Sequence, residues 1–221
     1  VNDGSTDSTT QILQKIGIEH PDRVHILDET INCGKAEAVR KGFQYANSNF
    51  THSYIGFLDA DLSTPLTEFT RLLRHLTDQP ELKFVFASRI ALLGSRIVRT
   101  KFRFFAGRIV ATAISKTLKL KVYDTQCGCK LFRRDVSMML FEEPFTSRWL
   151  FDVEIFFRMI NFYGKEPALE DMRELPLRIW KDPGVSKVKW TYFLKLFQDL
   201  YQINRRYRKK RIIATPVKKE L

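Results

Sequence analysis

The sequence contains no apolar run of the roughly 20 residues needed to cross a bilayer, and no charged-then-apolar leader at its start. On those absences the chain reads as soluble or peripherally attached. Cysteine is scarce, with only Cys33, Cys127 and Cys129 present. The last two stand one residue apart, Cys33 lies far off and no histidine accompanies the pair, which excludes the ligand spacing of a structural zinc site. Their odd number fits reduced thiols in a cytosol-facing domain. No internal repeat is present. Acidic residues are in deficit: 25 Asp and Glu against 37 Lys and Arg leave a net charge of +12. An anionic partner follows, whether nucleic acid, a membrane surface or phosphorylated small molecules, and charge alone does not choose among them.

What is present suffices for one large domain, since 221 residues at 44% hydrophobic content can bury a substantial core. The opening VNDGSTDSTT reads as the end of a strand running through an Asp3-Gly4 turn into a helix, with Ile12, Leu13 and Ile16 as its stripe. A strand and helix before it are expected to be missing. Strands are expected near 24–27, 54–58, 84–87 and 175–179, and helices near 35–47, 66–76, 99–118, 135–140 and 151–163, with DTQCGCKLF on a strand or a loop. The alternation implies an α/β fold with a mostly parallel sheet covered by helices on both faces. In such sheets ligands bind beyond the carboxyl ends of the strands, where Asp3, Asp59 and Asp61 fall. Residues 1–188 form the expected catalytic domain, and 189–221 an amphipathic helix with a basic tail.

FLDADLSTP places Asp59 and Asp61 two residues apart, pointing the same way on a regular strand. Two adjacent carboxylates repel unless a cation or a shared proton offsets them, so the pair reads as a hard-metal site or an acid/base dyad. Ser63 is a further oxygen ligand on the metal reading, while a purely structural reading makes the stretch a turn and helix N-cap, with Ser63-Thr64-Pro65 beginning the helix.

VNDGSTD, NCGKAEAVRKG, FLDADLSTP, ASR and DTQCGCKLF, in that order, resemble the family 2 glycosyltransferases of GT-A fold, and within them the polyprenyl-phosphate hexosyltransferase branch. The resemblance covers most of the chain. It implies donor binding by Asp3, Asn32, Lys35 and Asp59, with Asp59 and Asp61 holding Mg²⁺ or Mn²⁺ and Ser63 as a third ligand, standing where some relatives carry a metal-contacting glutamine. Asn2 stands where many members have aspartate. Arg89 and Arg103 match the arginines that hold the lipid's phosphate, Gln126 belongs to the acceptor loop, and Gly107 replaces a frequent serine. Lys187, in WKDPGVSKV, matches a diphosphate clamp. Asp152 and Glu154 match positions that face the sugar.

The implied reaction moves a hexose from UDP-glucose or GDP-mannose to a dolichyl or undecaprenyl phosphate, with inversion. Asp61, Arg89 and Arg103 carry the charge stabilisation, and the ionised acceptor phosphate needs no general base. Phe193, Leu196, Phe197 and Leu200 with the basic residues after them suggest a peripheral position on the cytoplasmic face of a membrane, or beside a separate membrane protein. Two rivals stand. A family 2 enzyme acting on a sugar hydroxyl would need Asp152 or Glu154 as base. A basic nucleic-acid-binding module would explain the charge, though acidic strand ends argue against nucleic acid as a partner.

Overall fold

The computed structural model describes residues 1–182 and 190–211, and of residues 102, 103, 190–194 and 209–211 the backbone only. In chain order the elements are β1 (Asn2–Asp3), α1 (Thr9–Glu19), β2 (Asp28–Glu29), α2 (Lys35–Asn49), β3 (Tyr54–Leu58), α3 (Leu66–Asp78), β4 (Phe84–Ser88) and β5 (Arg96–Val98). These are followed by α4 (Lys101–Leu118), β6 (Cys129–Arg133), α5 (Arg134–Leu140), α6 (Phe151–Tyr163), α7 (Lys165–Glu170), β7 (Met172–Pro176), β8 (Ile179–Lys181) and α8 (Trp190–Arg211).

The central sheet runs in the order β3-β6-β4-β7. Strands β4 and β7 pair in parallel, and β3 shares their direction, as the alternation implied. Strand β6, inserted between β3 and β4, runs against both. Because it is antiparallel, its first residues meet the last residues of its neighbours: Cys129 lies opposite Leu58, and Lys130 opposite Phe86. One edge of the sheet thus collects the ends of β3, β4 and β7 together with the loop that enters β6.

Both faces of the sheet are covered, and the period of two along its strands decides which residue goes where. Phe84, Phe86 and Phe132 point into a core shared with α2, α4, α5, α6 and α8. Val85, Ala87 and Leu131 point the other way, against Leu72 and Leu76 of α3. The first core is built largely of aromatic rings. Phe43 stacks on Phe141 at 3.8 Å and Phe84 on Phe132 at 4.4 Å, and buried rings of this kind dominate core energetics.

Several boundaries differ from the sequence expectation for identifiable reasons. Pairing near residues 24–27 reaches β2 at Asp28–Glu29, because β1 offers only Asn2 and Asp3 as partners. The long helix starts at Lys101, since Arg96–Val98 is taken by parallel pairing with β8. The strand expected over 175–179 divides into β7 and β8, the first following β4 and the second β5. Helix α8 docks on the domain through Leu200, Ile203 and Tyr207, all part of the main core. Phe197 and Tyr201 remain exposed on it.

Candidate active site

The turn between β2 and α2 is held from three sides. The Asp3 carboxylate accepts the backbone N–H groups of Cys33 (2.8 Å) and Gly34 (2.7 Å). Asn32 Nδ2 donates to the Asp3 carbonyl at 2.8 Å. Arg148 crosses the turn, donating from Nε to the Cys33 carbonyl at 2.8 Å and from Nη2 to the Asn32 carbonyl at 2.9 Å. Gly34 makes this possible: its φ of +93° suits glycine, and a Cβ there would stand 2.7 Å from Arg148 Nε. Asn2, the departure from a more usual aspartate, is buried and donates to Thr10 Oγ1 and Asp28 Oδ1.

Immediately after this turn Lys35 opens α2 and reaches the end of β3, where its Nζ meets Asp59 Oδ1 at 2.6 Å. Burial works against the Lys35 charge, but Asp152 and Asp59 outweigh it and lift its pKa above the usual lysine value. Behind the pair, fully buried Lys130 places its Nζ 2.6 Å from Asp152 Oδ1 and 2.5 Å from the Cys127 carbonyl. Burial raises the Asp152 pKa against the pull of Lys130 and Lys35. Two cations and two carboxylates therefore alternate through the floor of the site.

Strand β3 ends at Leu58, so Asp59 and Asp61 lie in a turn rather than on a strand as the spacing suggested, with Leu62 at φ +52°. Asp61, an exposed residue, accepts the Ser63 N–H through Oδ1 at 2.9 Å. Ser63 is buried, and its carbonyl accepts the Lys181 N–H at 3.1 Å, tying the acidic turn to β8. It lies two residues before the Pro65 that caps α3. Among the described residues no group of three or more His, Cys, Asp or Glu side chains could hold a metal.

The arginines form a second cluster along the same sheet edge. Arg89 follows β4 and grips Asp124 through two bonds, Nε to Oδ2 at 2.6 Å and Nη2 to Oδ1 at 2.9 Å. Burial opposes the Asp124 charge, yet Arg89 and backbone N–H groups hold its pKa well below the usual carboxylate range. Glu174 of β7 steadies the same loop by accepting the N–H groups of Tyr123 and Asp124, each at 2.9 Å. Arg99 donates to the Arg89 carbonyl at 2.8 Å. Arg108, one residue beyond the Gly107 departure, lies over the Tyr123 ring and donates to its carbonyl at 2.8 Å. Gln126 donates its N–H to Asp124 Oδ1 at 3.1 Å. Arg103 sits in the first turn of α4, with its side chain outside the described residues, as is Lys187 altogether.

The glycosyl transferase family 2 model matches residues 1–141, which include Asp3, Lys35, Asp59, Arg89 and Asp124, with Arg148, Asp152 and Glu174 beyond it. The chain belongs to glycosyltransferase family 2. This family 2 chain is 32% identical over 207 residues to a dolichyl-phosphate beta-glucosyltransferase of Trichomonas vaginalis, covering 92% of this chain and 58% of that protein. It is also 32% identical over 217 residues to the dolichyl-phosphate beta-glucosyltransferase of Dictyostelium discoideum, covering 94% of this chain and 62% of that one. The chain thus spans about three fifths of the length of these relatives. Among solved structures it is similar to glucosyl-3-phosphoglycerate synthase from Mycobacterium tuberculosis in complex with UDP. There the TM-score is 0.60 at 16% identity, over 91% of this chain and 66% of that one. The same enzyme with Mn²⁺, UDP and glucosyl-3-phosphoglycerate gives 0.58 at 14% identity, over 98% and 68%. These likenesses establish the fold, the GT-A arrangement the motifs implied.

Within this family 2 fold, Asp152 and Glu154 part company. Two residues apart on α6, they face different sides of the helix. Asp152 joins the Lys130 and Lys35 cluster, whereas Glu154 turns away, accepting the N–H groups of Thr146 and Ser147 and the Tyr207 hydroxyl at 3.0 Å. Sequence reasoning missed Arg148, Lys130, Arg99 and Glu174. Arg148 lies 115 and 116 residues from the carbonyls it holds, Glu174 50 and 51 from the loop it steadies and Arg99 10 from the Arg89 carbonyl, and lone charges so separated from what they touch leave no local pattern. Only the basic residue inside an otherwise apolar strand, Lys130 in CKLF, offered a signal.

Proposed function

We propose that this chain is the catalytic domain of an inverting glucosyltransferase that takes glucose from UDP-glucose and passes it to a dolichyl or related polyprenyl phosphate. The names of the sequence relatives support the acceptor and the sugar, and the UDP in the structural relatives supports the nucleotide. The observation that carries the reading is the way spare carboxylates are used. Glu154 is saturated by two backbone N–H groups and Tyr207, and Asp152 is buried against Lys130. Neither is placed to deprotonate a sugar hydroxyl, which favours an acceptor that arrives already ionised.

On this reading Asp3, Asn32 and Lys35 shape the nucleotide side of the crevice, with Lys187 as the lysine that binds the diphosphate. Asp59 and Asp61 are oxygen donors without nitrogen or sulfur company, a set that suits Mg²⁺ or Mn²⁺ when a diphosphate completes the shell. The free oxygen of Asp61 is available for it, and Lys35 would shift from Asp59 towards the phosphates. A bound divalent ion there supplies charge neutralisation of the leaving diphosphate. Arg89, Arg103 and Gln126 line the acceptor side, with Ser63 holding the turn through its backbone.

Membrane contact is part of the same proposal. Among the described residues no helix is long and apolar enough to cross a membrane. The exposed Phe197 and Tyr201 of α8, beside the basic stretch that follows, fit a peripheral position on a cytoplasmic leaflet or against a membrane protein.

The test is transfer from UDP-glucose and from GDP-mannose, each with Mn²⁺, to a short polyprenyl phosphate and to free sugars. Beta-linked glucosyl polyprenyl phosphate from UDP-glucose is the expected product. Transfer to hydroxyl acceptors alone would sink the proposed acceptor class.

A further inference from the structure

Two guanidinium groups converge on the indole of Trp180. Arg89 Cζ and Arg99 Cζ each lie 5.5 Å from a Trp180 ring centroid. Their charges are treated differently. Arg89 spends Nε and Nη2 on Asp124. Among the described residues Arg99 has one hydrogen bond, from Nη2 to the Arg89 carbonyl, and no carboxylate forms an ion pair with it. Its Nε is buried with no acceptor among those residues. Burial and the neighbouring Arg89 charge both press the Arg99 pKa down, against the weaker pull of Asp124.

A buried donor without an acceptor, next to a like charge, destabilises the fold in isolation, and in a native protein such a group calls for an explanation, a bound ligand among them. An anion with several oxygens suits it, because Nε lies on one edge of the planar guanidinium and Nη1 on the other, either side of the Nη2 that donates to the Arg89 carbonyl, and neither makes a hydrogen bond among the described residues. The position selects further. Arg99 lies between β5 and the N-terminus of α4, whose orphan N–H groups favour negative charge. It leans on Arg89, close enough to the donor side for Asp59 to act on the Arg89 charge. Leu92, Leu93 and Val98, in the segment joining the two arginines, are exposed and apolar, which suits a phosphate carried on a lipid rather than a free ion.

We propose that Arg99, braced on the Arg89 carbonyl and stacked with Trp180, is the principal ligand of the acceptor's phosphate monoester, and that Arg89, neutralised by Asp124, mainly positions it. The inference rests on the polyprenyl-phosphate reading above. It adds Arg99 and Trp180 to the site and changes the role of Arg89.

The test uses the full chain and the Arg99→Gln variant, reading KM for a short polyprenyl phosphate, KM for UDP-glucose, UDP affinity by calorimetry and Tm. Expected is a rise of about tenfold or more in the lipid KM, equivalent to about 1.4 kcal/mol, with UDP affinity within about twofold of the parent. Tm should be equal or higher, because an unmatched buried donor has been removed; a merely structural arginine would lower it. Arg96→Gln, exposed on β5, should change none of these. If Arg99→Gln fails to bind UDP, Arg99→Lys carries the test, because it keeps the charge and loses the Nε donor, and an unchanged lipid KM in it overturns the proposal. Inorganic phosphate should compete weakly with the lipid in the parent; competition as strong as that of the lipid assigns the site to the free anion and overturns it too. A parent chain that glucosylates no polyprenyl phosphate sinks the proposed function. A parent that does so, with Arg99→Gln at unchanged lipid KM, sinks only the Arg99 assignment.

Discussion

Gly128 backs directly onto Asp59. Its carbonyl accepts the Asp59 N–H at 2.9 Å, and a Cβ at Gly128 would lie 1.9 Å from Asp59 Oδ2. The acidic turn and the DTQCGC loop, nearly 70 residues apart in the chain, therefore share one wall in which no side chain fits.

Gly128→Ala should consequently push the Asp59 carboxylate off its position and away from Lys35. Displacements of about 1 Å at a reacting centre cost on the order of 100-fold in rate. We expect a loss of that size in kcat/KM for UDP-glucose, measured at saturating lipid acceptor. Parental kinetics in this variant would show that Asp59 does not need its present place.

The Arg89–Asp124 pair makes a prediction about pH. The Asp124 carboxyl is held below its ordinary value, so its stabilisation is complete above the ordinary carboxylate pKa and is lost as pH falls towards the folded value. Asp124→Asn leaves a half-buried guanidinium without its partner, at a cost of about 3 kcal/mol near neutral pH. Urea unfolding of parent and variant should show that gap about 1 kcal/mol smaller at pH 3 than at pH 5. A gap independent of pH would mean that charge is not what holds the loop.

The three thiols should separate by reactivity. Burial pushes Cys127 and Cys129 up to about 12, whereas Cys33 is half-buried in the turn that Asp3 holds. Iodoacetamide at mild alkaline pH should label Cys33 alone, because the thiolate is the reacting form, and UDP with Mn²⁺ should slow that labelling. Labelling of Cys127 in the folded chain would contradict the packing described.

Helix α8 is fastened by a buried polar network. Tyr207 donates to Glu154 Oε2 at 3.0 Å and accepts from Arg158 Nε at 2.9 Å, while Ser147 donates to Asp199. Tyr207→Phe keeps the ring that stacks on Phe157 but removes both bonds. It should lower stability by about 1–3 kcal/mol without changing either substrate's KM. A KM effect would link α8 to the active site.

The extent to which the molecule was legible in its sequence follows the distance over which each feature is decided. Helix α6 was readable to the residue at Phe151–Tyr163 and β3 at Tyr54–Leu58, because a local run of apolar residues between turn signals is enough to specify them. Strand β6 was readable only as a strand or a loop, since CKLF carries an apolar pattern but no sign of which neighbours it joins. The site shows the same division. Asp59, Asp61 and Arg89 stood out by motif, yet Arg99 and Arg148 sit in unremarkable surroundings and acquire meaning only from what folds against them.

By itself the sequence determined the alternation of elements, the family motifs and the positive charge that suits phosphate substrates, all of which depend on neighbouring residues or on composition. Tertiary structure alone decided that β6 runs antiparallel between β3 and β4 and so brings Gly128 to Asp59. It alone assigned Asp124 to Arg89 and left Arg99 without an ion-pair partner among the described residues. Hydrogen bonds and ion pairs are satisfied at about 3 Å, and which groups come that close is fixed by strand register and packing between distant segments, which no local pattern records.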